Sequence, residues 1–232
     1  MPGQNYFLIT ALPSLGELGA FPPLTPLELL EHLREEPAKV KLLKTVFLSD
    51  DLLQHQAFLA GEITELDLCV LSDSQARNEE PLPDYLISCA PRVDRHVPAD
   101  DLWAGYYGYV AGFARRRGIK FLQDWVGYEL ALRNALAVAR AQALQLNPDD
   151  YLVSRDLSGP EEEEFTGLLN EWAAAPTPLE GQRVLDKGRW DWLQDHDAWF
   201  SFKDDELVAY AVRLSLLNRW HRLAQKEPKG SD

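Results

Sequence analysis

The chain has 232 residues, with 23 Lys+Arg against 37 Asp+Glu, giving a formal net charge of −14 at pH 7. At 46% hydrophobic and 26% charged it has the balance of an ordinary globular chain, long enough to bury a real core, which excludes a wholly disordered protein. Such acidity gives no electrostatic reason to approach nucleic acid or anionic lipid, whose recognition runs on clustered Lys and Arg.

The first segment, 5–13, is an apolar run too short to type by periodicity, so strand and short helix both stay open. Thr25 and Pro26 then mark an N-cap and a first helical position, opening a helix over 27–35. A second helix is expected over 38–59, interrupted near Ser49-Asp50 and stopped at Gly61. Residues 62–97 are punctuated by Pro81, Pro83 and Pro91, with Pro98 just beyond, and the polar stretch 72–83 reads as a mobile connection. A helix over 99–117 has matched ends: Asp100 and Asp101 meet the positive end of its dipole, Arg115, Arg116 and Arg117 the negative end, and Gly118 is the stop. Trp103, Tyr106, Tyr107 and Val110 form its apolar stripe. Gly105, Gly108 and Gly112 form a second stripe against which another helix is expected to pack closely.

Residues 119–146 read as one long helix, apolar nearly all round from Ala131 onward and therefore buried. Further helices follow over 160–174, 179–196 and 204–224, with a disordered tail over 227–232. The sum is an all-α, multi-helix bundle in one or two lobes. The expected division is an N-terminal helical lobe over 1–61, a Pro-rich connection over 62–97 and a C-terminal helical lobe over 98–232.

Asp-Asp pairs recur at 50–51, 100–101, 149–150 and 204–205, mostly as helix openings, although those at Asp50 and Asp149 fit turns equally well. All-α isoprenoid-diphosphate enzymes hold magnesium with Asp-Asp-x-x-Asp, but the third carboxylate is missing after both Asp50-Asp51 and Asp100-Asp101. His32, His55, His96, His196 and His221 are scattered without the i, i+4 spacing of a zinc helix. Asp195 and Asp197 flank His196 but point to different helix faces. No phosphate loop, dinucleotide fingerprint or nucleophile elbow occurs, so no catalytic, cofactor-binding or metal-ligating residue is assigned. Cys69 and Cys89 are too few and too far apart for a disulfide framework or a Cys-x-x-Cys pair.

The middle helix places Glu129, Arg133 and Arg140 on one side of an apolar cylinder, with Asn134 on the apolar side. These four are expected to form a structural polar network. The acidic groups Asp100, Asp101, Asp204, Asp205 and Glu161, Glu162, Glu163, Glu164 are candidate partner contacts. The dense aromatics Trp190, Trp192, Trp199, Phe200, Phe202 and Trp220 read as core or interface rather than a ligand cage.

Three stretches taken together carry a resemblance: Tyr6 through Leu15, Glu129 through Ala141, and Leu185 through Trp192 continuing by Phe200-Ser201-Phe202 and Leu207 through Tyr210 to Arg219-Trp220. They resemble an uncharacterised bacterial family encoded among the subunits of V/A-type ATP synthases. The middle stretch also resembles the C/d-type rotor protein of V-type ATPases, the component lettered C in bacterial complexes and d in eukaryotic ones. That resemblance implies an all-α, non-catalytic socket joining the central stalk to the membrane rotor ring in proton or sodium transport. Its implied partners are the central-stalk and rotor-ring subunits, with no nucleic acid, no small-molecule substrate and no cofactor. The C/d-type helical fold has three related lobes, more than this chain can hold. No apolar stretch approaches the roughly 18 residues of a membrane span, and no secretory leader is visible at the N-terminus. The expected location is therefore cytoplasmic, peripheral to the inner membrane through the ATPase complex. An isoprenoid-diphosphate enzyme with a degenerate metal motif and a stand-alone helical adaptor are the alternatives.

Overall fold

Proline, aspartate and glycine set the element ends, and the apolar periodicity between them sets the helices. The computed structural model describes residues 5–87, 98–157 and 165–225. Among these it is all-helical: α1 (Tyr6–Ala11), α2 (Pro26–His32), α3 (Pro37–Leu59), α4 (Asp73–Ala76), α5 (Asp84–Ile87), α6 (Pro98–Arg117), α7 (Lys120–Ala143), α8 (Thr166–Ala174), α9 (Pro178–Asp195) and α10 (Asp204–Gln225). Two 3₁₀ turns, Pro148–Tyr151 and Arg155–Leu157, follow α7. The expected tail over 227–232, the helix start at Pro160, Cys89 and His96 lie outside the described residues. No described helix is long and apolar enough to cross a membrane.

The caps behave as their chemistry requires. Thr25 accepts from the Glu28 amide while the Glu28 carboxylate accepts from the Thr25 amide, a complete capping box. Gly61 and Gly118, at φ +73° and +67°, end α3 and α6 in the left-handed conformation that glycine adopts without strain.

The chain forms two compact units, one built from residues 1–47 and 170–232, the other from 48–169. They do not follow chain order, as lobes over 1–61 and 98–232 would: the last helices return to the first, and the division falls inside α3 and α8. In the first unit α10 packs on α9 and α2, and Leu29, Leu42, Leu193, Leu207 and Leu214 are buried. Its polar centre is Asp186, fully buried on α9. That carboxylate accepts from Arg219 of α10, from Arg189 at 3.3 Å and from Gln182 at 2.9 Å. Lys39 and Asn5 both reach Asp204 at the start of α10, the latter at 3.0 Å.

In the second unit α6 packs on α7 and on α5. Trp103, Tyr106, Tyr107 and Val110 are buried, as their stripe predicts. The glycine stripe works at one position only. A Cβ on Gly105 would lie 2.2 Å from the Leu86 carbonyl oxygen of α5, whereas one on Gly108 would meet nothing within 4 Å and one on Gly112 only its own neighbour Arg116. The close approach is therefore by a short α5, not by a long helix running along the strip. The end of α7 also differs from an all-round buried cylinder, since Leu144 and Leu146 beyond it are exposed.

Two expectations fail in the second unit. Asp50-Asp51 opens no helix, because α3 runs through it unbroken. Residues 72–83 are not a loose connection, because one face of α3 binds the backbone leading into them. The Asp51 carboxylate accepts the amides of Cys69 (3.0 Å), Val70 (2.6 Å) and Leu71 (2.7 Å). Gln54 exchanges two 2.8 Å hydrogen bonds with the backbone of Asp67. His55 Nδ1 donates to the Ala76 carbonyl at 2.8 Å, and Arg77 lies over the Phe58 ring. Residues 51, 54, 55 and 58 share a helix face by their i, i+3, i+4, i+7 spacing. Burial pushes the Asp51 carboxyl up to about 6, against the pull of its three backbone amides.

The buried carboxylates of the two units can each be tested by substitution. Asp186→Ala strands two arginines and is expected to cost about 3–5 kcal/mol in urea denaturation, while Arg140→Ala, at an exposed position, costs under about 1 kcal/mol. For Asp51 the folded state holds the proton more tightly than the unfolded chain does, so its contribution is fullest at low pH. Relative to Asp51→Asn, the wild-type protein should lose about 2–3 kcal/mol as pH rises from about 4 to about 6, then change no further. Paired denaturation curves across that range measure the difference, and a flat difference would refute it.

Candidate functional site: an aromatic display beside a cavity

The most distinctive surface lies in the first unit, where α1 and the stretch after it meet the end of α9, the 196–203 loop and α10. Residues 196–203 leave α9 without a helix or strand of their own, so their backbone needs partners from elsewhere. Glu206, in the first turn of α10, supplies them. Its buried carboxylate accepts the amides of Phe202 at 2.7 Å and Phe200 at 3.2 Å. The loop is held with φ +59° at Phe200 and +50° at Phe202, left-handed values that side-chain-bearing residues rarely adopt.

Arg213 of α10 braces the same loop. It pairs with Asp197, donates to the Leu193 carbonyl at 3.0 Å near the C-terminus of α9, and sits 5.0 Å from the Trp199 ring centre and 5.9 Å from that of Trp190. A cation is favoured there by the helix dipole and by both indole faces. Burial pushes the Asp197 carboxyl up, and the Arg213 charge pulls it back down. On the other side, the Tyr210 hydroxyl donates to the Pro13 carbonyl at 2.9 Å and pins the stretch after α1. Its phenol is pushed up to about 12 by burial.

Between these parts lies a cavity of about 440 Å³, with Ile9, Leu12 and Leu15 on one side and Trp190, Trp199 and Tyr210 on the other. The Trp190 indole N–H is buried and has no acceptor among the described residues. Large apolar side chains of the same segments face solvent: Trp199, which lines the cavity, is 64% exposed, its chain neighbour Phe200 80%, and Phe7 of α1 85%. Phe202 packs its ring 4.9 Å from Tyr6 of α1. Among the described residues no three His, Cys, Asp or Glu side chains converge as metal ligands would.

The residues singled out by sequence are placed elsewhere. Arg133 bonds Asp100 at 2.9 Å and lies over the Trp103 ring, while Asn134 exchanges two 2.9 Å hydrogen bonds with the backbone of Val153. Glu129 is half-buried and Arg140 exposed. Arg133 and Asn134 thus serve different partners on different elements. Asp100, expected at the surface, is only 8% exposed because Arg133 draws it inward, and Asp204 is engaged by Lys39 and Asn5. Asp101 and Asp205 are half-buried, and Glu161, Glu162, Glu163 and Glu164 lie outside the described residues. With Asp51 held by three amides and Asp100 by an arginine, neither Asp-Asp pair presents its carboxylates as a magnesium site. His196 closes α9, stacked 4.1 Å from Trp192, with Nδ1 donating to the Trp192 carbonyl at 2.9 Å. The sequence reading missed Glu206 and Arg213. The acidic run Asp204-Asp205-Glu206 hid the first as a helix opening, and nothing local marks the second.

A family model described as a protein of unknown function (DUF2764) matches residues 29–232. The chain belongs to the DUF2764 family. No curated protein and no solved structure matches it significantly. The α9–α10 half of the display, with Trp190, Trp199, Phe200, Glu206 and Arg213, lies within the DUF2764 match, and α1 lies ahead of it.

The left-handed backbone gives an opposed pair of outcomes. Phe200→Gly relieves strain at an exposed ring and should stabilise the protein by about 0.5–1 kcal/mol, net of the entropy that glycine adds to the unfolded chain. Phe202→Gly also loses the contact with Tyr6 and should destabilise. Thermal denaturation of the two variants separates them, and equal losses would mean that Phe200 is a packing residue.

Proposed function

We propose that this DUF2764 protein is a non-catalytic, protein-binding subunit or accessory of a bacterial V/A-type ATPase, in the position of the central-stalk socket. The observation that carries the protein-binding reading is the aromatic display: Phe7, Trp199 and Phe200 stand in solvent, Trp199 lines the cavity, and Phe200 sits on left-handed backbone held against its own preference. Exposed aromatics grouped in this way mark interaction surfaces, and backbone strain gathers where function requires a set geometry. The ATPase assignment rests on the three ordered stretches that resemble the family encoded with those subunits. Two of them, 129–141 and 185–220, fall inside the DUF2764 match.

In this reading the protein turns over no substrate and works on the cytoplasmic side of the inner membrane, held there by the stalk and rotor-ring subunits rather than by a span of its own. A net charge of −14 suits a partner surface rich in Lys and Arg. Co-purification of the ATPase from its native host through a tag on this chain is the test. The complex should come with it at low salt and be lost progressively as salt rises. A complex that assembles without this chain, and a chain that never sediments with it, would replace the ATPase reading with that of a stand-alone helical adaptor.

A further inference from the structure

We infer that the cavity and the aromatics beside it form a docking site for a basic, apolar-anchored protein segment, which places a branched or aromatic side chain in the cavity and Lys or Arg at its rim. This deepens the protein-binding reading above and rests on it.

The contents of the cavity define the anchor. Its charged groups are already engaged, Arg213 by Asp197 and the Leu193 carbonyl, and Glu206 by the Phe200 and Phe202 amides. What they leave for an occupant is the apolar wall of Ile9, Leu12 and Leu15, with Trp190 and Trp199 lining the cavity beside the Arg213 that lies over their rings. A cavity of about 440 Å³ holds a large side chain together with part of its backbone.

The rim defines the charge. Glu17 lines the cavity, is exposed and bonds Gln194, next to the exposed Asp195 at the end of α9. A second copy of the chain would bring another net −14 to this acidic mouth, which disfavours self-association. A segment carrying Lys or Arg beside its anchor instead gains from the rim on approach and from the aromatics once seated. Trp199 lines the cavity and its neighbour Phe200 stands exposed on the loop that Glu206 holds, and large aromatics at such a place carry a disproportionate share of binding energy.

The test uses the full chain and a fluorescein-labelled amphipathic peptide of about 15 residues, long enough to form a helix. Peptides patterned Lys/Leu, Glu/Leu and Lys/Ser are compared by anisotropy. The Lys/Leu peptide should bind at low salt and weaken as salt rises, with Glu/Leu and Lys/Ser both far weaker. The double variant Trp199→Ala/Phe200→Ala should raise its Kd by about tenfold or more, and Glu17→Lys should raise it by about three- to tenfold. Both substitutions are at exposed positions, and circular dichroism verifies that the variants stay folded. Failure of the Lys/Leu peptide to bind, equal binding to the double variant, or Glu/Leu binding as tightly as Lys/Leu would overturn the site. ATPase that co-purifies equally with wild type and double variant would also remove the docking site while leaving the ATPase reading intact. Peptide binding that depends on Trp199 and Phe200, without ATPase co-purification, would keep the site and remove the ATPase reading.

Discussion

A loop laid against a helix carries backbone N–H and C=O groups that no ladder of its own can satisfy, and burying them unpaired costs about as much as a lost hydrogen bond each. In this all-helical chain the long helices meet that demand with polar side chains aimed sideways. Asp51 takes three amides of the 69–71 turn, and Asn134 takes both the N–H and the C=O of Val153. Glu206 takes the amides of Phe200 and Phe202, Arg213 the carbonyl of Leu193, and Tyr210 that of Pro13. Each side chain does for one loop what a neighbouring strand would do in a sheet.

The same device explains why the candidate site sits where it does. A loop bound through its backbone has its side chains free. Glu206 fixes the 200–202 backbone from beneath, so the rings of Trp199 and Phe200 can stand outward at fixed positions instead of collapsing into the core. Arg213, paired with Asp197, lies over the rings of Trp190 and Trp199 and ties the loop to α10. The outcome is a pre-positioned aromatic surface, which loses less conformational entropy on binding than a flexible one. In the second unit the same use of side chains holds a segment without display: the Asp51 face of α3 binds residues 67–77, and Leu71 and Ala76 there are buried.

Charge works at two scales. Inside, the carboxylates that matter are used one by one: Asp186 by arginines of α9 and α10, Asp100 by Arg133, Asp204 by Lys39. Outside, the acidic excess acts on association as a whole, repelling further copies and favouring basic surfaces. Acidic pairs adjacent in sequence therefore do unrelated work. Asp51 holds a turn while its neighbour Asp50 bonds Gln54 along the same helix.

The helical class and most element ends were legible in the chain itself, because these depend on local chemistry: Thr25 and Pro26 opening α2, Asp204 opening α10, glycine at the left-handed stops of α3 and α6. The buried stripe on α6 was legible too, since helical periodicity fixes which residues share a face. Whatever depends on what lies opposite came from packing alone. The motif Asp50-Asp51 is the same in sequence whether it caps a helix or sits in the middle of one, and only the 69–71 turn packed beside it makes Asp51 a buried acceptor. The polar, proline-bounded composition of 72–83 resembles that of a free connection, but the partners that hold its first half are on α3, some twenty residues back. The candidate site shows the same limit. Its dense tryptophans were visible in the chain as core or interface, yet which of them face solvent was decided by Glu206 and Arg213, whose roles exist only once α10 lies against the loop.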